Sequence, residues 1–245
     1  MKKANLILTL LLGFSQIIYS QTVIIGSQVW TSTNLNVSTY RNGDIIPQVK
    51  DKDAWAGLTT GAWCYYENDA ANGTKYGKLY NWYAVNDARG LAPKGYHIPS
   101  DAEWTKLTDY LGGRSAAGTK MKSAVGWRNW KTSGGWIKCP NCSSWSVEYR
   151  KKVPCHNCKD TRSVSAPTVT NSGNGSNSSK FSGLPGGLRY YDGEFDFIAS
   201  SAVWWSSTEG GTNSAWGRGL RDVDVDVNTG TSNWANGKSV RCLKD

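Results

Sequence analysis

Hydrophobic and polar positions along the chain change period several times, and each change marks an element. Val23-Ile24-Ile25-Gly26 followed by Gln28-Val29-Trp30 reads as two short strands around a glycine turn. Residues 38–62 are loop-like, with Asn42-Gly43-Asp44 and Pro47 as turn signals. Trp63-Cys64-Tyr65-Tyr66 is a short aromatic strand candidate, Asn72-Gly73 a second turn, and Leu79, Trp82, Tyr83 and Val85 have the spacing of a short helix. The clearest local signal is Ser100-Asp101-Ala102-Glu103-Trp104. Ser100 and Glu103 stand at capping-box spacing, Trp104, Leu107 and Leu111 share a helical face, and Gly112-Gly113 permits a left-handed stop, which predicts a helix over 100–111. Ala202 to Ser207 reads as a buried strand. Val223, Val225 and Val227 alternate with Asp222, Asp224 and Asp226, which predicts a strand with one wet face, and Ser239 to Leu243 reads as a closing strand. The pattern is that of a loop-rich α+β domain without internal repeats.

The first twenty residues follow a different rule. Lys2 and Lys3 precede a mostly apolar run from Leu6 to Ile18, and Ser20 offers a small residue for cleavage before Gln21. This is the layout of a secretory signal peptide over 1–20, and the apolar run is shorter than the ~20 residues a spanning helix needs. No cysteine lies near the cut to carry a lipid, and no second long apolar run follows. The expectation is an exported protein, periplasmic, surface-associated or extracellular, with no membrane span after cleavage. Losing Lys2 and Lys3 and no acid takes the formal charge from +9 to +7. A basic balance can indicate nucleic acid, but an exported address argues against it and turns the expectation toward anionic surface glycans or cell-wall polymers. Thirteen Trp and 27 Gly in 245 residues suggest irregular segments pinned by indoles.

Cysteine spacing brings in the first candidate chemistry. Cys139-Pro-Asn-Cys142 and Cys155-His-Asn-Cys158 are two Cys-x2-Cys knuckles, which can set four thiolates tetrahedrally around structural Zn²⁺. Lys138, Arg150, Lys151, Lys152, Lys159 and Arg162 supply cations that would offset a doubly negative zinc tetrathiolate. Disulfides are the competing reading for an exported chain. The insert spans 137–180 and ends in a polar stretch, 166–180, whose composition is that of a flexible linker. The remaining pair, Cys64 and Cys242, lies on two different predicted strands, which invites a disulfide; two separate buried thiols are the alternative.

Several segments then point to a family. Tyr76 to Val85 (YGKLYNWYAV), Gly95 to Trp104 (GYHIPSDAEW), Leu184-Pro185-Gly186-Gly187, Trp204 to Glu209 (WWSSTE) and Ser239 to Cys242 (SVRC) occur in that order. Together they resemble the Fibrobacter succinogenes major paralogous domain family, common among exported proteins of Bacteroidetes-type bacteria, over roughly 24–136 and 180–245. That family is in turn similar to the formylglycine-generating-enzyme, C-type-lectin-like architecture. The resemblance implies that fold for residues 21–245, interrupted by the cysteine-rich insert, and it attaches no defined activity. The cysteine pair of formylglycine-generating enzymes has no counterpart in the C-terminal segment, where Cys242 stands alone.

Other candidates are weaker. His97 precedes the capping box and reads as a packed structural residue, and His156 lies inside a knuckle where cysteines are better zinc ligands. Asp222, Asp224 and Asp226 on one strand face would make a Ca²⁺ comb, although a solvated face is the plainer reading. Trp127, Trp130 and Trp136 sit among Gly, Asn, Arg and Lys, where a loop indole either stacks on a sugar ring or staples the loop to the core. The function these features suggest is a noncatalytic recognition module for a cell-surface glycan or protein. Its rivals are a divergent enzyme of formylglycine-generating type, a hydrolase using Asp residues, and a structural or adhesin subunit.

Overall fold

The computed structural model describes residues 21–132, 136–138, 163–165 and 169–245. The expected signal peptide and the four knuckle cysteines lie outside the described residues. In chain order, a hairpin of β1 (Thr22–Ile25) and β2 (Gln28–Thr31) leads to α1 (Lys52–Ala56) and β3 (Trp63–Cys64). A 3-10 turn (Tyr66–Asn68), α2 (Ala70–Tyr76), β4 (Leu79–Tyr80), the single-turn α3 (Trp82–Val85) and β5 (Tyr96–His97) follow. Then come α4 (Asp101–Tyr110), α5 (Arg114–Met121), β6 (Trp130–Thr132), β7 (Trp136–Lys138), β8 (Ser163–Ser165) and β9 (Val169–Asn171). The chain closes with β10 (Gly186–Arg189), β11 (Phe195–Ile198), β12 (Ser201–Gly211), β13 (Ser214–Arg221), β14 (Asn228–Asn233) and β15 (Leu243–Lys244). The fold is α+β, mixed and loop-rich. No helix among the described residues is long and apolar enough to cross a membrane.

Two sheets organise the domain, one in the order β1-β2-β15-β5 and one in the order β11-β10-β12-β13-β14. The first joins the two ends of the domain, since Leu243 pairs with both Trp30 and His97. The second is built on the long β12–β13 hairpin. Consecutive residues of a strand face opposite ways, so the adjacent indoles of β12 enter different cores: Trp204 packs with Trp30, Trp104, Phe181 and Leu220, and Trp205 with Trp63, Tyr80, Trp82 and Val240. A strand covered on both faces explains why two large apolar residues stand side by side. The resemblance-bearing segments converge here, because Trp104 and Trp204 lie 6.0 Å apart, Phe181 stands 5.5 Å from Trp204, and Arg241 rests 4.5 Å over Phe181. Asn34 ties the cluster together, accepting from Trp204 Nε1 at 2.9 Å and Arg241 Nε at 2.7 Å.

Helix α4 forms for the expected reasons. Ser100 Oγ accepts from Glu103 N, Glu103 returns a bond to Ser100 N at 2.8 Å, and Trp104 and Leu107 are buried. Gly112 and Gly113 stop it with φ of 101° and 87°. Other expectations need correction. Asn72-Gly73 lies inside α2, because Asp69 caps that helix by accepting from Ala71 N at 2.8 Å. The stretch 79–85 divides into strand and a single helical turn. Asp222 to Val227 is no strand: Lys122 Nζ grips the carbonyls of Arg221 and Asp224 at 3.1 and 2.8 Å, and the loop leaves Val223 and Val225 exposed while burying Asp222.

The region read as a linker is also part of the fold from residue 169 onward. β6 pairs with β9 and β7 with β8, and both ladders keep one register, from Trp130↔Asn171 to Lys138↔Ser163. After β9 the chain is sewn to α5 by bonds from Gly175 N to Ser123 O, Ser176 N to Thr119 O and Ser179 N to Lys120 O. Backbone pairing outweighs a polar composition there, because these amides find partners without burying large side chains.

Candidate functional site

The indoles singled out from loop composition do not assemble into one site. Trp127 is buried, its indole N–H donates to Ser123 Oγ and Gly183 O at 3.1 Å each, and Lys122 lies over its ring. It is a core staple and not a ligand platform, which corrects the expectation for that residue. Trp130 is half-buried on β6, and Trp136 is placed on β7. The acidic triplet fails as a Ca²⁺ comb for the reason given above: with no strand, its members share no face. Asp222 instead accepts from Arg128 at 2.9 Å, and Asp224 faces Arg221 at 4.0 Å. No group of three or more His, Cys, Asp or Glu side chains placed to hold a metal occurs among the described residues.

The anticipated Cys64–Cys242 bridge is absent. Both cysteines are buried free thiols in different clusters, Cys64 beside Trp55 and Leu79, Cys242 beside Trp205 and Val240. Burial pushes each thiol up to about 12, so neither offers a thiolate nucleophile at neutral pH.

A cleft of about 300 Å³ opens instead between α3, the 59–61 loop and the turn after α3. Its wall is aromatic. Trp82 is buried and stacks on half-buried Trp234 with centroids 5.0 Å apart at 20°, and Tyr83 meets Trp234 edge-on at 5.8 Å. The backbone fixes that stack, since Trp82 N donates to Trp234 O at 2.7 Å and Trp234 N to Asn213 O at 3.0 Å. The Trp234 indole nitrogen is buried and has no hydrogen-bond partner among the described residues. The floor depends on Asn81. Its side chain caps α3 by accepting from Ala84 N, also accepts from Ala62 N, and donates to Thr60 O at 2.8 Å. Gly61 permits this approach, because a Cβ there would lie 2.0 Å from the Tyr40 hydroxyl.

The polar wall carries two charges already spent on each other. Arg89 grips Asp87 in a fork at 2.9 and 2.7 Å, gives Asp44 a third bond at 3.2 Å, and stacks 4.1 Å over the Tyr40 ring. The Arg89 hydrogen bond holds the Asp87 carboxyl down at about 2. Burial, with the negative charge of Asp87, pushes Tyr40 up to about 12. Asp87 is therefore a fixed anion with little basicity, and Tyr40 keeps its proton.

His97 lies elsewhere, on β5. Its Nδ1 faces Asp245 Oδ1 at 2.8 Å and its Nε2 faces Glu103 Oε1 at 2.9 Å. Burial lowers its pKa, but the two carboxylates outweigh that and raise it overall. The imidazole meets carboxylates on both sides and no hydroxyl, so no Ser-His-Asp relay forms around it.

Much of the basic excess also points inward. Lys78, Lys122, Arg189, Arg218, Lys238 and Arg241 are buried, against Asp222 as the one buried acid among the described residues. Most bind carbonyls: Arg189 donates to Gly193 O, Val49 O, Lys50 O and Asp51 O, and Arg241 to Thr31 O, Phe181 O and Ser182 O. Net charge is thus a poor guide to the surface that a partner meets.

The model of the Fibrobacter succinogenes major domain matches residues 23–244. The chain belongs to that family. The Fibrobacter succinogenes major domain here takes in the cysteine-rich insert within its matched span. No curated protein and no solved structure matches the chain. Within the domain, the YGKLYNWYAV segment supplies Asn81, Trp82 and Tyr83 to the cleft, whereas GYHIPSDAEW, WWSSTE and SVRC mostly supply core. Sequence reasoning missed Trp234, Asp87 and Arg89. Trp234 stands in Thr-Ser-Asn-Trp-Ala-Asn-Gly, the same indole-in-polar-loop signal that drew attention to Trp127 and Trp130.

Proposed function

We propose that this domain is an exported, noncatalytic recognition module that meets a cell-surface glycan or protein at the Trp82–Trp234 cleft. The observation that carries the reading is the cleft's composition: a rigid aromatic wall faced by fixed polar groups, the mixture that orients a ligand by apolar contact and a few hydrogen bonds. Activity needs a nucleophile or a poised acid and base in one cleft. The one carboxylate lining this cleft is locked by Arg89, and both described thiols are buried elsewhere. A C-type-lectin-like arrangement is favoured by the sheet that joins β1 and β2 to β15, which brings the domain ends together. The test is paired: residues 21–245 are assayed for binding to insoluble cell-wall polysaccharide and isolated surface proteins, and for turnover of ester, glycoside, peptide and sulfatase-peptide substrates. Saturable binding without turnover supports the reading. Turnover lost in Asp87→Asn would overturn it in favour of an enzyme, and self-assembly without binding would favour a structural subunit.

A second reading concerns the insert. Cys139, Cys142, Cys155 and Cys158 are proposed to hold one structural Zn²⁺. Knuckle spacing supports this, and so does the ribbon: Lys138 pairs with Ser163, so the chain enters and leaves the cysteine segment side by side. Such a short segment has little apolar surface to order itself, so metal would supply its folding energy. Near-stoichiometric zinc in protein purified without added metal, lost in Cys142→Ser, is the expected result. Finding all four sulfurs as disulfides in freshly isolated protein would contradict it.

A further inference from the structure

We propose that the Trp82–Trp234 cleft is a subsite for a single neutral sugar ring and excludes uronic acids and sugar phosphates; this rests on the recognition reading above and names its ligand class. Size sets the first limit. About 300 Å³ lies at the lower end of ligand sites and holds one sugar ring, while any chain attached to that ring extends into solvent through the open side.

Chemistry sets the second. Trp82 covers one face of Trp234 and Tyr83 abuts it edge-on, so the indole offers a single platform and not a cage around a cation. A pyranose ring presents the matching surface, an apolar C–H face with hydroxyls around its edge. Thr59, Thr60, Asn86 and Asp87 also line the cleft and offer hydrogen-bonding partners for those hydroxyls. The Trp234 indole N–H is buried beneath this platform and makes no contact with ligand, but it reports on the ring that does.

Charge sets the third. The protein is basic overall, which from sequence pointed to anionic polymers, but the one cation lining this cleft is committed. Arg89 gives a fork to Asp87 and a further bond to Asp44. Arg41 does not line the cleft, and its side chain donates to Ala92 O and Tyr96 O. An anionic ligand would meet a guanidinium whose charge two carboxylates already offset, and would sit against both of them. A neutral ligand displaces nothing and uses Asp87 as an acceptor.

The test follows the Trp234 indole N–H signal by NMR in ¹⁵N-labelled residues 21–245, assigned with Trp234→Phe. The probes are the methyl glycosides of glucose, galactose and mannose, with glucuronate and glucose 6-phosphate as anionic counterparts. At least one neutral glycoside should shift the signal saturably, with the anionic probes weaker by about tenfold or more. Asp87→Asn, which loosens the hold on Arg89, should narrow that gap. A stronger shift from glucuronate or glucose 6-phosphate would overturn the neutral-sugar assignment while leaving the cleft as a binding site. No shift from any glycoside would overturn the sugar assignment outright, and the polymer and surface-protein assay above would then decide the recognition reading independently.

Discussion

Replacing Lys238 with methionine should make the protein more stable in acid and less stable near pH 10. Lys238 is buried, and burial lowers its ammonium from the usual 10.5 to about 7. At ~1.36 kcal/mol per unit, the desolvation behind that shift costs the charged form about 5 kcal/mol before any contact is counted. Two contacts offset that cost. The ammonium sits 4.1 Å over the Trp205 ring and donates to Ser232 Oγ at 2.8 Å. A desolvated cation–π contact contributes about 2 kcal/mol and a charged hydrogen bond about 1.5 kcal/mol. The remainder, roughly 1–2 kcal/mol, is the net penalty of the charge. Because the folded pKa lies below the unfolded one, this lysine's contribution is fully present above the unfolded value and is lost as pH falls through the folded value. Methionine keeps the aliphatic stem and deletes the charge. Lys238→Met should therefore melt about 2–8 °C higher near pH 6. Near pH 10 the wild-type amine is neutral, and the variant lacks only the Ser232 bond, so it should be weaker by about 1 kcal/mol. Thermal melts or urea midpoints across that range are the assay. A variant less stable at every pH by more than about 2 kcal/mol would show that the charge is a net stabiliser and that the burial argument fails.

Three other outcomes follow from the same structure. Cys64 and Cys242 should resist alkylation in the folded protein and react as free thiols after denaturation without reductant, read by peptide mass; a disulfide-linked peptide pair would contradict the two-cluster packing. The raised pKa of His97 means its contribution is present below the ordinary histidine value and fades as pH rises through the folded one, so His97→Gln should remove that slope from urea midpoints. The size should stay under about 1 kcal/mol, since ring and carboxylates are partly solvated. Replacing residues 139–162 with Asn-Gly should give a cooperatively folding protein, because Lys138 and Ser163 already pair as a two-residue hairpin turn requires, whereas deleting 137–180 should not, because it removes β9 and the bonds to α5. Loss of folding in the Asn-Gly variant would show that the insert supports the core.

Legibility in the sequence depended on whether a signal was local. The capping box at Ser100 and Glu103 was readable because its chemistry closes within four residues, and Trp104 and Leu107 followed from helical spacing. The Val23–Trp30 hairpin was readable for the same reason. Asp222 to Val227 was misread because alternation describes a strand only when a neighbouring strand pairs with it, and here Lys122 captures the carbonyls instead. Trp127 and Trp234 sit in similar polar company, yet one finds acceptors in Ser123 and Gly183 and the other does not. That difference is set by contacts across as many as 56 positions of chain, which no window of composition contains. The cleft itself was illegible because Trp82, Asp87 and Trp234 meet only through the loop that Asn81 positions and the backbone bond from Trp82 to Trp234.

Recognition at the Trp82–Trp234 cleft requires that the cleft bind ligand. Tyr83 edges the aromatic wall and is only half-buried, so its removal should cost binding more than folding. The decisive measurement is the affinity of residues 21–245 for insoluble cell-wall polysaccharide, compared between wild type, Tyr83→Ala and Trp130→Ala, with a melting curve for each. The structure predicts a loss of about ten- to a hundredfold in Tyr83→Ala, with little change in Trp130→Ala and melting temperatures within about 4 °C of wild type. Unchanged affinity in Tyr83→Ala, together with a comparable loss in Trp130→Ala, would contradict the account and move recognition to the ribbon.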